Sequence, residues 1–367
     1  MDVVLDGIFR QNVTYDYDSD YEYKDDLEPK NSEVLIPLLY SVVLIVGLLG
    51  NGLVLAALVW KRRFWTISDI FVLHLSVADV LLLVMLPFLA AQSSQTCGWC
   101  FKGFVCKITG AAFNINFYCG IFLLLCIGLD RCLSMAHARR LFSQKRPALA
   151  HISCLLVWLC SLILSIPDWI FMGARKDPSH EKLLCVHKYA QSQTDWRLKS
   201  RLLHHMLGFL LPAAALIICW SCVLLRLQHG LKSLQKVISI KVNLSLVALF
   251  FLCWVPYNIT LLADTVRSRP GESNDLSVDS EGSIKTALVV TSALGCVHAC
   301  LRPLLYLGLC ANFKKQILGL LRRAAADSER SLWELGVGED VLHDRRREGE
   351  ELKQMTGVDH QIPSAQC

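Results

Sequence analysis

The sequence predicts an all-α membrane protein, a seven-transmembrane helix bundle with a short amphipathic helix after the seventh span. Composition is the first reason: 53% of the 367 residues are hydrophobic and 19% charged, with mean hydropathy +0.41. That is too apolar for a soluble chain of this length. Second, seven apolar runs lie at 34–60, 70–91, 105–129, 149–173, 203–225, 238–263 and 284–309. Each reaches the roughly 20 residues that a helix needs to cross a bilayer. Third, the runs are continuous, without the polar stripe of a soluble helix or the alternation of a barrel strand. Backbone groups in lipid must be satisfied within their own segment, so each run is expected to be a helix.

Residues 1–33 form a polar arm ahead of the first span. The arm carries ten acids against three bases, a formal charge of −7, with Tyr15, Tyr17, Tyr21 and Tyr23 set among the acids. Such a composition reads as a solvated, unfolded arm. The same charge makes it a landing strip for a basic protein, steered by long-range attraction. No short apolar core or cleavage pattern of a secretory signal is visible, so the first span is expected to act as the targeting segment.

Orientation follows from charge. Lys61, Arg62 and Arg63 follow the first span, Arg139, Arg140, Lys145 and Arg146 the third, and Lys232, Lys236 and Lys241 lie between the fifth and sixth. The loop after the fourth span is basic too (Arg175, Lys176, Lys182, Lys188, Arg197). Short loops close to span ends carry the most weight, which makes the first set cytoplasmic and the N-terminus extracellular. The sequon Asn12-Val13-Thr14 agrees, because it is glycosylated only outside.

Within the spans, a few polar and breaking residues stand out. Asp130-Arg131 ends the third span; two adjacent charges near a bilayer are costly and mark function. Paired, they partly neutralise; unpaired, Arg131 reaches an incoming partner helix, as a bistable element does. Lys236, at the foot of the sixth span, is expected to line the same inner cleft. Pro212, Pro256 and Pro303 sit inside the last three spans, where each removes a backbone hydrogen bond and kinks its helix. Pro256 beside Trp254 reads as a hinge of the sixth span. His204 and His205 are adjacent and are expected on different helix faces, unable to chelate together.

Most of the 16 cysteines lie inside spans, where a buried free thiol is expected. Cys106 and Cys185 fall at outer ends or loops, and a bridge between them would tie the outer loop to the third span. Cys97 and Cys100 also lie outside, and either a bridge or two free thiols fits them. Beyond the seventh span, apolar and basic residues alternate with helical spacing over 313–323. The segment 310–323 is therefore expected to lie on the inner membrane surface against lipid. Residues 324–367 read as a charged, unfolded cytoplasmic tail.

One mark per span falls in order: Gly50-Asn51, Leu75-Ser76-Val77-Ala78-Asp79, Asp130-Arg131, Trp158, Pro212, Cys253-Trp254-Val255-Pro256-Tyr257 and Pro303-Leu304-Leu305-Tyr306. The series resembles rhodopsin-class G-protein-coupled receptors along nearly the whole chain. Trp99-Cys100-Phe101-Lys102-Gly103 ahead of Cys106 is similar to the first outer loop of chemokine receptors. The segments 110–118 and 167–171 resemble those of the CXC chemokine receptor of type three. The resemblance implies basic CXC chemokines as ligands, an inhibitory heterotrimeric G protein as partner, and leukocyte chemotaxis as outcome. It implies a multi-pass protein of the plasma membrane, with sulfation among the four arm tyrosines. Asp168 and Asp264 are then expected to accept the cationic N-terminus of a chemokine in an outer vestibule walled by Trp99, Phe113, Tyr118, Trp169 and Tyr257.

The chain departs from the family at four places. Cys132 stands where a tyrosine follows Asp-Arg. Arg302 stands where a polar uncharged or acidic residue precedes Pro303, and a mid-membrane arginine costs about 2.5–3.5 kcal/mol on insertion scales. The family places this position and Asp79 around a shared sodium pocket, so an Arg302–Asp79 ion pair is expected to replace a bound cation with a fixed one. Trp220 stands where a tyrosine bridges to Tyr306, and an indole donates one hydrogen bond but accepts none. The arm and the segment 267–283 hold no cysteine, so the family's usual second outer disulfide is absent.

Three of these changes fall on one inner pathway, so two readings stand side by side: a signalling receptor, and a scavenger that internalises ligand without coupling. Ser328, Ser331, Thr356 and Ser364 give arrestin few sites in the tail. No internal repeat supports a transporter, and no nucleophile–base or metal-ligand set supports an enzyme. No cofactor, metal or nucleic acid is expected.

Overall fold

The computed structural model describes residues 27–60, 65–135, 146–176, 182–189, 194–228, 234–267, 278–310, 314–315, 317–319 and 322–323. Seven helices are long and apolar enough to span a bilayer: Val34–Trp60, Ile67–Ser94, Gly103–Ser134, Ala148–Phe171, Trp196–Gln228, Val237–Arg267 and Gly282–Leu309. They are called the first to seventh spans below, and the expected seven-span bundle is what the chain forms.

Local sequence explains where the spans start and break. The second begins at a capping box: Thr66 Oγ1 accepts from the Asp69 backbone N–H, and Asp69 Oδ2 accepts from the Thr66 N–H at 2.6 Å. It breaks after Leu83 and resumes at Leu86–Ser94, with Pro87 in the first turn. The fourth breaks at Ser165, ahead of Pro167. In the fifth, His204–Leu210 is a π-helix lying just before Pro212. Pro256 and Pro303 lie inside the sixth and seventh spans.

The third span is the most buried of the seven and forms the axis of the core. Phe117, Ile121, Leu123 and Leu124 pack there with Leu216 of the fifth span and with Phe250 and Trp254 of the sixth. A smaller cluster joins the first, second and seventh spans through Tyr40, Val43, Leu82, Leu83, Cys296 and Ala299. The fourth span turns Leu155, Leu159, Leu162 and Ile163 outward, as a lipid-facing helix does.

The kink at Pro303 has a specific repair. Proline cannot donate to the carbonyl four residues back, which here belongs to Ala299. Asn51 Nδ2 donates to Ala299 O at 2.9 Å, and to Gly47 O at 3.0 Å. Gly50 lets the two helices close: a Cβ there would lie 2.7 Å from Pro303 Cγ.

Outside the bundle, the basic segment read as a loop after the fourth span forms an antiparallel hairpin, β1 (Met172–Lys176) with β2 (Leu183–His187). Cys106–Cys185 ties β2 to the third span. Cys97 and Cys100, left open by the sequence, are bridged. Between them Gly98 adopts φ +70°, and its chain pairs with Leu183: Trp99 N–H donates to Leu183 O at 2.6 Å and Leu183 N–H to Cys97 O at 3.0 Å. A side chain at Gly98 would strike Leu183 O.

After the seventh span, residues 314–315, 317–319 and 322–323 are helical. Ile317 is buried, and the Arg323 guanidinium sits 4.5 Å from the centre of the Trp60 ring. That cation–π contact holds the segment against the inner end of the first span.

Candidate functional site: an outer cavity, a central polar layer and an inner switch region

An outer cavity opens between the third, fourth, fifth and sixth spans beneath the hairpin. Its lining includes Asn114, Tyr118, Asp168, His187, Arg201, His204 and Tyr257. Tyr118, Asp168 and Tyr257 were expected from the sequence; the other four were not.

The two acids do not wait open for a cation. Asp168 is only 3% exposed, accepts a hydrogen bond from Asn114 Nδ2 at 2.9 Å and pairs with His187 Nε2 at 2.8 Å. Asp264 Oδ2 takes Arg197 at 3.1 Å and Arg201 at 3.6 Å. The cause is plain: the hairpin brings His187 to Asp168, and the outer end of the fifth span brings Arg197 and Arg201 to Asp264. Beside them Tyr189 and Ser200 hydrogen-bond at 2.8 Å, and burial holds the Tyr189 phenol above its ordinary value.

Trp99, Trp169 and Phe113 are not among the residues that line this cavity. Trp99 is fully buried and stacks edge-on against Phe101 at 5.4 Å, so it braces the outer loop and does not wall the cavity. Trp169 is 39% exposed, beside Phe104 at the bundle exterior. Phe113 behaves differently, packing on Trp254 at 5.2 Å and on Tyr257 at 5.3 Å.

His204 and His205 lie in the π-helix of the fifth span. The wider π turn leaves both rings buried, with centroids 5.4 Å apart. His204 bridges Tyr118 Oη at 2.8 Å and Asn258 Oδ1 at 3.1 Å. Gly208 makes room for this, since a Cβ there would collide with the Tyr118 ring. A histidine pair in an apolar span just ahead of a proline was the available signal.

Below the cavity Trp254 is fully buried, 4.9 Å from Phe117 and against Gly295 of the seventh span. Beneath it lies a polar layer. Arg302 Nη1 donates to Asp79 Oδ2 at 2.9 Å and to Leu75 O at 3.3 Å; Nη2 donates to His298 Nε2 at 2.9 Å. Asn116 Nδ2 supplies the other carboxylate oxygen of Asp79 at 2.9 Å. The absence of a side chain at Gly120 keeps space beside Phe250 and Arg302.

At the inner end, Arg131 donates to Ser68 Oγ at 2.6 Å, and among the described residues no ion pair joins it to Asp130. The reason is reach: Arg131 turns toward the second span, and Asp130 stays half-buried at the bundle edge. Trp220 lies against Gly128, whose Cβ would sit 3.2 Å from Nε1, and that nitrogen has no hydrogen-bond partner among the described residues. Tyr306 is buried, and Pro256 lies within the sixth-span helix. Tyr15, Tyr17, Tyr21, Tyr23 and Asn12 lie outside the described residues, as does the side chain of Lys236.

Residues 50–306 match the family described as the seven transmembrane receptor (rhodopsin family). The C-X-C chemokine receptor type 3 of Capra hircus is 33% identical over 330 residues, covering 87% of each chain. The Homo sapiens protein of that name is 36% identical over 299 residues, 81% of this chain and 78% of its own. The C-X-C chemokine receptor type 5 of Homo sapiens is 33% identical over 304 residues, 82% of this chain and 81% of its own.

Proposed function

The chain belongs to the rhodopsin family of seven-transmembrane receptors, among the C-X-C chemokine receptors, and we propose that it binds basic CXC chemokines and signals through an inhibitory heterotrimeric G protein to drive leukocyte chemotaxis. In this reading it sits in the plasma membrane with its N-terminus outside. The observation that carries the proposal is the similarity to named chemokine receptors along most of both chains.

The chain's own chemistry supports each step. An arm of charge −7 attracts a basic ligand from a distance. From the cavity's Tyr257, ring packing continues through Phe113 to Trp254, beside the proline of the sixth span. Arg131 at the inner end supplies the cation for a partner helix. The amphipathic segment rests on lipid, and the few tail hydroxyls make arrestin a minor partner.

The test is inhibition of cyclic AMP in cells expressing the chain, with basic CXC chemokines added and uptake followed in the same wells. A fall in cyclic AMP that Arg131→Ala abolishes, with ligand binding retained, is the expected result. Uptake without that fall overturns the signalling half and leaves a scavenger, for which Cys132, Trp220 and Arg302 would be the causes.

A further inference from the structure

The hydrogen bonds around His204 can run in only one direction. Asn258 Nδ2 donates to the backbone carbonyl of Trp254 at 2.9 Å, so the amide turns Oδ1 toward His204. Flipping the amide would face two oxygens together, which excludes it. A carbonyl oxygen only accepts, so His204 Nε2 carries the proton. A buried imidazolium without a carboxylate at hydrogen-bond distance is costly, so the ring is neutral and its Nδ1 accepts. Tyr118 Oη, 2.8 Å away, must then donate. The chain therefore reads Tyr118 O–H to His204 Nδ1, His204 Nε2–H to Asn258 Oδ1, and Asn258 Nδ2–H to Trp254 O.

This relay joins the third, fifth and sixth spans at one depth, and two features place it between ligand and hinge. Tyr118 and His204 line the outer cavity, whereas Trp254 O lies two residues before Pro256, where the sixth span has lost a backbone donor. His204 heads the π-helix whose i−5 bonding, Leu211 N–H to Met206 O, turns the histidines inward.

We propose that His204 is a positioning residue that passes occupancy of the outer cavity to the sixth span through this relay. Tyr118 has a single hydroxyl proton. A ligand carbonyl or carboxylate that takes it leaves His204 Nδ1 buried without a donor. Restoring that hydrogen bond requires the ring, and with it Asn258 and the turn at Trp254, to shift. The chemical demand on the inserted part of the ligand is therefore a hydrogen-bond acceptor at Tyr118. Coupling energies between sites span about 5- to 150-fold in equilibrium.

The inference rests on the receptor reading, so its experiment needs a readout that requires neither ligand nor G protein. The purified full chain is labelled with fluorotryptophan, and the Trp254 resonance is assigned by Trp254→Phe. Tyr118→Phe and His204→Leu are expected to move that resonance in the same sense. Their double variant should add little further, and His204→Gln, which keeps one donor and one acceptor, should return it toward the parent position. In cells, at matched surface expression, the maximal cyclic AMP response of His204→Leu should fall at least fivefold, the lower end of that coupling range, whereas Tyr118→Phe, which also loses the proposed ligand contact, should lower chemokine affinity as well. An unmoved Trp254 resonance overturns the relay, as does additive behaviour. Loss of response only in proportion to surface expression also overturns it, since that marks a purely structural role. If the parent binds no basic CXC chemokine, the ligand proposal fails, and the resonance alone still decides the relay.

Discussion

Arg302 of the seventh span places Nη1 2.9 Å from Asp79 Oδ2 of the second, with 2% and 0% of the two side chains exposed. A mid-membrane guanidinium is tolerated because its charge is met at contact distance and its remaining donors find Leu75 O and His298. The pair is a bolt between the second and seventh spans, and the seventh also carries Pro303 and the Asn51 contact. It puts a covalently fixed cation beside the carboxylate.

Breaking one side of such a pair costs more than removing both. Asp79→Asn should destabilise the receptor by about 3–5 kcal/mol, because it leaves a buried guanidinium uncompensated. Asp79→Asn combined with Arg302→Asn should recover most of that loss. Thermal unfolding of detergent-purified protein measures both. A double variant no more stable than Asp79→Asn alone would show that the pair is incidental.

The fixed cation also predicts sodium independence. Exchanging sodium for choline at constant ionic strength should leave chemokine affinity unchanged in the parent, and Arg302→Asn should introduce a sodium dependence. Equilibrium binding in membranes decides this; a sodium effect in the parent would contradict it.

Asn51 replaces the donor that Pro303 lacks at Ala299 O. Asn51→Leu should cost about 1–3 kcal/mol, the penalty for an unsatisfied buried acceptor. In a Pro303→Ala background, which restores a backbone N–H, the cost should shrink by at least about 0.5 kcal/mol. Equal costs in both backgrounds would refute the repair.

The outer disulfide joins the third span to β2 across 79 residues. Cys185→Ser should lower stability by about 2–5 kcal/mol and abolish chemokine binding, because the hairpin that roofs the cavity comes loose. The Cys97–Cys100 bridge closes only a short local turn, so Cys97→Ser should cost less. Surface expression together with ligand binding separates the two.

Salt should reveal the arm. With seven excess negative charges in 33 residues, the on-rate for a basic chemokine should fall as ionic strength rises, since the Debye length shrinks from about 10 Å at 0.1 M to about 3 Å at 1 M. Replacing Asp16, Asp18, Asp20 and Glu22 by amides should flatten that dependence and leave the off-rate nearly unchanged. A steep salt dependence that survives the replacement would move the attraction elsewhere.

The sequence by itself determined the bundle, because the bilayer admits few solutions: a continuous apolar run of sufficient length has to be a helix, and seven such runs have to pack together. A buried charge demands a partner, and the family resemblance, which places the two positions around a shared pocket, made Asp79 the expected one for Arg302. The outer cavity was less legible. Asp168 and Asp264 read as open acids because their partners, His187, Arg197 and Arg201, lie at sequence distances that no local pattern relates. The bonds of His204 to Tyr118 and Asn258 were not legible either, because their partners lie on other spans. Only the tertiary structure decided which charges are already satisfied and which way Arg131 points. Burial is forced on a chain by its solvent, whereas the pairing of polar groups depends on distances that exist only once the helices have packed.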